Sequence, residues 1–588
     1  MILNILHRPE RSDRRELFEL EQAFAHDNGI RTTILMTAES LSDPSQVALA
    51  REHAAAYGDE IGLSFHGLGH ASIVDLVGYA QEALWLYSLA HKRIVLEFLI
   101  GTFRDRFGFT PTGVASYHFD SSTMRILREV APEVRAAVAG CFEEGVRVFH
   151  GCNHSWYLFN EGMPWGPWYP SKSHTLRPAA DEDDWCGVVA VPHLMRDMVL
   201  SYEGRNDFWA SHPPNVMRGM GYEGEDCPYD RNLIDMFRRQ ESLNDGYSYY
   251  NSFVSTAWLA EHHAIDDSPL VAQSLYRQQL EYLGELKRRG EVEDMTLTGF
   301  ADWYRSNRPI GGSEAYFAKE MLYGSGKHYF WFVDRDQRVL LDATQGGSIG
   351  DLRPYAGRVA VETGPESPSL CYGSYPYLIQ SQHRTGMPNH SQDGSRSTAL
   401  VTVNGVVYDL GEFPTRIESV DRAADVTRVE FTAVEVGGEG GALLKTTVEF
   451  LPAGSTVIRR TLLRAPGGSV AVTERVKMAP GITEYPQSLA GVTFGVGGGS
   501  AGATVSDGQR MEYRYDGRRV ELDPVSGASA WACFPSLSTR AELAAGDDAL
   551  WSARAEEGNL FSPYVTLCLS TTIAVGKESA ACVRLSRM

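Results

Sequence analysis

The 588-residue chain has no apolar run long enough to cross a bilayer as a helix, so no membrane span is expected. It lacks a basic excess. Its 54 Lys and Arg stand against 75 Asp and Glu, a formal charge of -21, which argues against nucleic acid as a partner. The eight cysteines (Cys141, Cys152, Cys186, Cys227, Cys371, Cys533, Cys568 and Cys582) form no C-x-x-C and no tight framework. Free thiols in a reducing compartment are therefore expected. The opening "MILNILHRPERSDRREL" has no basic segment leading into an apolar core, so it does not resemble a secretory signal, and a cytoplasmic location is the expectation. No Walker A loop, no G-x-G-x-x-G after a strand and no G-x-S-x-G elbow occur, which disfavours nucleotide use and serine-esterase chemistry. No repeat of fixed period is present.

What is present suffices for full hydrophobic cores: 43% of residues are apolar and 11% aromatic, and the length favours two or three domains. Up to about Pro309, strand-like runs alternate with helical ones. "MILNILH", "RTTILMT", "DEIGLSF", "GVASYHF", "AAVAGCF" or "GVRVFHG", and "CGVVAVP" read as strands. "RRELFELEQAFAHDNG", "PSQVALAREHAAAYG" and "SSTMRILREVAPEV" read as helices, and "ASIVDLVGYAQEALWLYSLAHKRIVLEFLIGTFRDRFG" as one long helix or two in series. Such alternation implies parallel β structure in an α/β barrel over residues 1–308. After Pro309 the runs "ALVTVNGVVYDL", "TRVEFTAVEV", "ALLKTTVEFLP", "STVIRRTLLRA" and "SVAVTERVKMA" follow closely, separated by Gly and Pro turns. Their apolar–polar alternation implies a mainly antiparallel β-sandwich over residues 309–588.

In "GDEIGLSFHGLGH" two histidines, His66 and His70, lie four apart beyond a short apolar run. At a strand end passing into a first helical turn, that spacing can place both imidazoles on one metal ion. A solvated turn with incidental histidines is the alternative. His7 at the end of the first strand is the first candidate for a third ligand, and His118 the second, because the C-terminal ends of parallel barrel strands converge. A histidine-rich set suits zinc or another borderline transition metal. His7 could equally be a buried histidine satisfied by hydrogen bonds. His150 and His154 form a weaker alternative pair.

Asp120, Asp13 and Glu10 lie near the ends of expected strands and are the candidate acid and base, with Asp197 and Asp207 behind them. Each alone is otherwise a helix cap or a surface charge. "HSWYLFNEGMPWGPWYPSKSH" packs Trp156, Tyr157, Phe159, Trp165, Trp168 and Tyr169 among Gly and Pro that oppose regular structure. An aromatic loop suits stacking on sugar rings, and packing over the barrel rim is the alternative. Tyr117, and Arg205 and His212 in "GRNDFWASHPP", extend this candidate substrate-binding set.

"RTTILMT" followed by "GDEIGLSFHGLGH" resembles the second and third strands of the polysaccharide deacetylase (NodB-like) superfamily, and "RFGFTPTGVASYHF", "GVVAVPHLMRD" and "DMTLTGFADWYR" resemble later strands. The resemblance covers about residues 1–308. It implies an incomplete seven-stranded (β/α) barrel in which a His-x-x-x-His pair holds a divalent metal. The family's first strand ends in two aspartates, whereas "NILHRPE" puts His7 and Arg8 there. "LHRPE" also resembles, over three positions, the first strand of family 57 glycosidases. The expected protein is thus a carbohydrate-active hydrolase acting on an oligosaccharide or modified sugar by metal-assisted attack of water. The alternatives are a glycosidase using paired carboxylates and a glycan-binding protein without turnover. Whether it forms a homo-oligomer stays open.

Overall fold

The computed structural model describes residues 1–10, 12–81, 83–140, 162–202, 228–260, 269–320, 324–359, 375–381, 395–423, 425–482, 485–486, 489, 491–496, 511–515, 519–526, 529–545, 550–557 and 563–588. The chain forms two compact units. The first is Met1–Gly312, and the second comprises Ser313–Val359 and Tyr375–Met588.

The first unit is built on parallel strands β1 (Ile2–Arg8), β2 (Thr32–Met36), β3 (Glu60–Ser64), β4 (Gly113–Ala115), β5 (Ala136–Gly140), β6 (Val189–Pro192) and β7 (Tyr249–Ser255). Their order in the sheet is β6-β5-β4-β3-β2-β1-β7, and the two-residue strand β8 (Glu293–Asp294) adds to the start of β1. Among the described residues no backbone ladder joins β6 to β7. A side chain spans that gap instead: Asn251 Nδ2 on β7 donates to the Pro192 carbonyl on β6 at 2.7 Å. The result is the nearly closed parallel (β/α) barrel that the deacetylase resemblance implied. Every residue of β1, β2 and β5 is buried, as expected of parallel strands covered on both faces.

Local chemistry sets where the helices begin and end. Helix α1 spans Arg15–His26 and α2 Ala38–Ser42, the latter opened by a capping box between Thr37 and Ser40. Helix α3 (Pro44–Tyr57) starts with Pro44 behind the Asp43 cap and stops at Gly58, whose φ of 75° lets the chain turn straight into β3. The long helical run after residue 70 is two helices, α4 (Ala71–Val77) and α5 (Leu89–Phe107). Gly78, left-handed at φ 86°, ends α4, and Ser88 caps α5. Helix α6 (Ser121–Val130) follows β4.

The second unit is all antiparallel β structure. Among the described residues it holds one sheet of eleven strands, one of ten, and a small two-stranded one. The strand Ala442–Leu451 alternates buried and half-buried residues through its first six positions, and Ser469–Met478 alternates along its whole length. That period of two turns one face inward. Val401, Val472 and Ile573 of the larger sheet share a core with Leu444 and Leu462 of the other, and Phe332 stacks on Phe450 across it at 4.3 Å. This is the expected β-sandwich.

Candidate active site at the barrel mouth

The C-terminal ends of the strands bring together side chains from distant parts of the first unit. From β1 comes Arg8, 3% exposed, and beyond it Glu10. Arg8 pairs with the Glu10 carboxylate at 2.8 Å, and its guanidinium lies 5.9, 5.4 and 5.5 Å from the ring centres of Tyr117, Phe253 and Trp258. Such an aromatic surround suits a planar, weakly hydrated cation. Ser255 at the end of β7 donates its hydroxyl to Glu10, and Thr256 Oγ1 accepts the Glu10 backbone N–H at 2.9 Å. Glu10 is therefore held from β1 and β7 together, with 18% of its side chain exposed.

Facing Arg8 are two histidines. His66 follows β3 and His193 follows β6, where the His193 backbone N–H donates to the Gly140 carbonyl of β5 at 2.6 Å. Their Nε2 atoms are 3.2 Å apart, and both residues are buried. His66 Nδ1 pairs with Ser64 Oγ at 2.7 Å. Tyr117 meets His66 edge-on with ring centres 4.1 Å apart. Burial, then the nearby Arg8, pushes both imidazoles well below their ordinary range, so both are neutral at pH 7. One Nε2 therefore carries the hydrogen and donates it to the other.

The expected metal ligands do not converge. His7 and Arg8 are neighbours on a strand, so they point to opposite faces. Arg8 reaches the mouth, whereas His7 points into the helix layer, where Nδ1 meets Gln22 Nε2 at 2.9 Å and Nε2 meets the Tyr276 hydroxyl. Both nitrogens are thus engaged, and burial drives the imidazole down to about 3. His70 caps α4, its Nδ1 accepting the Ser72 backbone N–H at 3.4 Å and meeting the Ser72 hydroxyl at 2.8 Å. The turn at Gly67, φ 68°, separates it from His66. His118 lies edge-on to Trp85 at 5.6 Å, its imidazole lowered to about 4 by burial. Among the described residues, the group of three His, Cys, Asp or Glu atoms that does converge is His26, His53 and Asp59, at the other end of the barrel. Among the described residues, the mouth thus does not assemble the three-ligand set implied by the deacetylase resemblance. Two imidazoles face each other beside a fixed guanidinium, and among the described residues no third ligand joins them.

The other candidates divide similarly. Asp120 is buried and bonded to Lys92 Nζ at 2.9 Å, and to the hydroxyls of Ser122 and Thr123. Burial alone would raise its carboxyl, but Lys92 and the hydroxyls hold it below the ordinary range. It is a buried anchor at the start of α6, not a free acid or base. Asp13 is exposed in the short 3-10 turn Ser12–Arg14. Asp197 Oδ1 accepts the Val199 and Leu200 N–H groups. The sugar-platform reading of the aromatic loop gives way to packing where it is described. Trp165, Trp168 and Tyr169 are 1%, 2% and 4% exposed. Trp168 donates to the Thr175 carbonyl at 2.8 Å and crowds Gly140, and Tyr169 donates to the Tyr304 and Arg308 carbonyls. Trp156, Tyr157, Phe159, His150, His154, Arg205, Asp207 and His212 lie outside the described residues.

Of the candidates named from the sequence, Glu10, His66 and Tyr117 lie at this end of the barrel, beside Arg8, His193 and Trp258, which were not among those candidates. His193 had a usable signal: it directly follows "VAVP", a buried parallel strand, just as His66 follows "IGLSF".

No protein-family model matches the chain, and no curated protein does. Among solved structures it is similar to a candidate glycoside hydrolase/deacetylase from Parabacteroides distasonis, with 16% identity, a TM-score of 0.47, and 63% of this chain and 88% of that one covered. It is also similar to a 4-alpha-glucanotransferase from Thermococcus litoralis, with 9% identity and a TM-score of 0.30 over 100% of this chain and 99% of that one. A galactose mutarotase-like protein from Clostridium acetobutylicum aligns with 46% of this chain and 99% of its own at 9% identity, TM-score 0.31. Likenesses at this level assign neither a residue role nor a reaction to this chain.

Proposed function

We propose that the chain is a hydrolase acting on an acylated sugar, with its reaction at the barrel mouth. The observation that carries this reading is the buried His66–His193 contact beside Arg8, assembled from the C-terminal ends of β1, β3 and β6. Water attack on an ester or amide needs a base and a group to hold the negative charge that develops on oxygen. A neutral imidazole supplies the first, and its partner takes up or returns the proton across the 3.2 Å contact. Arg8 supplies the second. Glu10 keeps Arg8 in place. Tyr117, half-buried, and Trp258 offer apolar surface against a sugar ring. Cleavage by paired carboxylates is less well supported, since Asp120 is consumed by Lys92. No step here runs through a metal.

The test is product release from a panel of acetylated and plain oligosaccharides. Acetate release is expected, with His193→Ala and His66→Ala each lowering kcat by about 10²–10⁴-fold while the folded protein persists. Release of reducing sugar without acetate would replace this reading with a glycosidase, and binding without turnover would make the protein a glycan binder.

A further inference from the structure

We propose that His26, His53 and Asp59 form a binding site for one divalent transition-metal ion, zinc or a like ion, at the end of the barrel opposite the mouth. His26 is the last residue of α1, His53 lies in the closing turns of α3, and Asp59 immediately precedes β3. One ligand atom from each lies within 4.8 Å of the other two.

The local structure holds two of the three in place. Asp59 Oδ1 accepts the Thr32 backbone N–H at 2.8 Å, tying it to the start of β2, and its Oδ2 faces His26 Nε2 at 2.8 Å. Tyr57 stacks flat on His26, with ring centres 3.6 Å apart and planes 10° apart, which fixes the imidazole's orientation. His53 stands apart in kind. Its ring centre is 5.1 Å from that of His26, and both its nitrogens are buried without a hydrogen-bond partner. The His53 ring is only partly buried, but its two nitrogens are shut off from water, and among the described residues nothing bonds them to return that desolvation cost. A cation between His53, His26 and Asp59 would return it.

The donor set selects the ion. Two imidazole nitrogens and one carboxylate oxygen suit zinc and its neighbours, whereas calcium and magnesium require more oxygens. Bonds of about 2.0–2.2 Å in tetrahedral geometry put neighbouring ligand atoms about 3.4 Å apart. The His26–Asp59 pair then opens slightly as the hydrogen between them leaves Nε2 for Nδ1 or solvent, and His53 closes in. Water completes the fourth position. The ion would link α1, α3 and the β2–β3 edge, at the face where barrels carry stability and not chemistry. The site is therefore independent of the reaction proposed for the mouth.

The test uses the full chain, stripped with a chelator, dialysed, and titrated with zinc chloride under calorimetry and thermal unfolding. One equivalent should bind, and Tm should rise by about 4–6 °C at a hundredfold excess over Kd. His53→Gln should lose both effects, while its metal-free Tm stays near that of the parent because no hydrogen bond is given up. His66→Gln, altered at the mouth, should keep both. No binding to the parent, binding that survives His53→Gln, or binding lost only in His66→Gln would each overturn the proposal. Should His53→Gln fail to fold, cobalt(II) on the unaltered protein decides. An intense tetrahedral absorption band, with His26 and His53 shielded from diethyl pyrocarbonate, supports the site, and unshielded histidines overturn it.

Discussion

The two ends of the barrel use the same residue type in opposite company. At the mouth, His66 and His193 face each other and a guanidinium, with no carboxylate bonded to either ring among the described contacts. At the opposite end, His26 is bonded to Asp59 and stacked on Tyr57. Neutral imidazoles beside a fixed positive charge suit proton transfer near a developing anion. An imidazole–carboxylate cluster suits a cation. What separates the two ends is the partner each nitrogen meets, which spacing in the sequence does not record.

The strongest way to break this comparison is to return a free carboxylate to the upper end. Lys92→Met removes the cation bonded to buried Asp120 and should cost about 3–5 kcal/mol of stability in urea unfolding at pH 7. The Asp120 carboxyl is held below its ordinary value, so its contribution is complete above pH 3.8 and disappears as the pH falls through the folded value. An unchanged urea midpoint would show that Asp120 is not an anchor and would restore it as a candidate acid.

A smaller effect sharpens the contrast by pH. His118 is buried and lowered from 6.5 to about 4. Between those values the unfolded chain binds the proton and the folded chain does not, so stability is complete above pH 6.5 and falls as the pH drops. At pH 5 this histidine should cost about 2 kcal/mol relative to pH 7. His118→Phe should flatten the dependence of unfolding free energy on pH by that amount. An unaltered slope would mean that His118 takes up its proton in the folded state.

The smallest effect concerns the histidine pair that first suggested a metal. His70→Ala removes a helix cap and should cost about 0.5–1 kcal/mol, with turnover changed by less than about twofold. Abolished turnover would reinstate His70 beside His66 as a working pair.

Much of the architecture could be read directly. The alternation of "ILNILHR", "TTILM" and "EIGLS" with helical runs gives parallel strands, and the strict alternation of "SVAVTERVKM" gives one face of a sandwich. Within the long run after residue 70, Gly78 and Ser88 were the signals that divide α4 from α5. The site was legible only in part. His66 and Glu10 lie beyond strand ends as expected, but His7 does not face the mouth, because a strand's period of two allows only one of His7 and Arg8 to do so. The density of tryptophans in the loop is compatible with a stacking platform and with packing, and density alone cannot distinguish the two; Trp168 packs against Gly140.

By itself, then, the sequence determined the order of strands and helices, the change to antiparallel β structure, and the residue types available at the strand ends, because these depend on local periodicity and turn chemistry. Only the tertiary structure decided that His66 meets His193, 127 positions away, that Lys92 neutralises Asp120, and that His26, His53 and Asp59 share a corner. Those partnerships arise where separate strands and helices come together in the nearly closed barrel, and a hydrogen bond or an ion pair acts over a few ångströms of space regardless of the length of chain between its members.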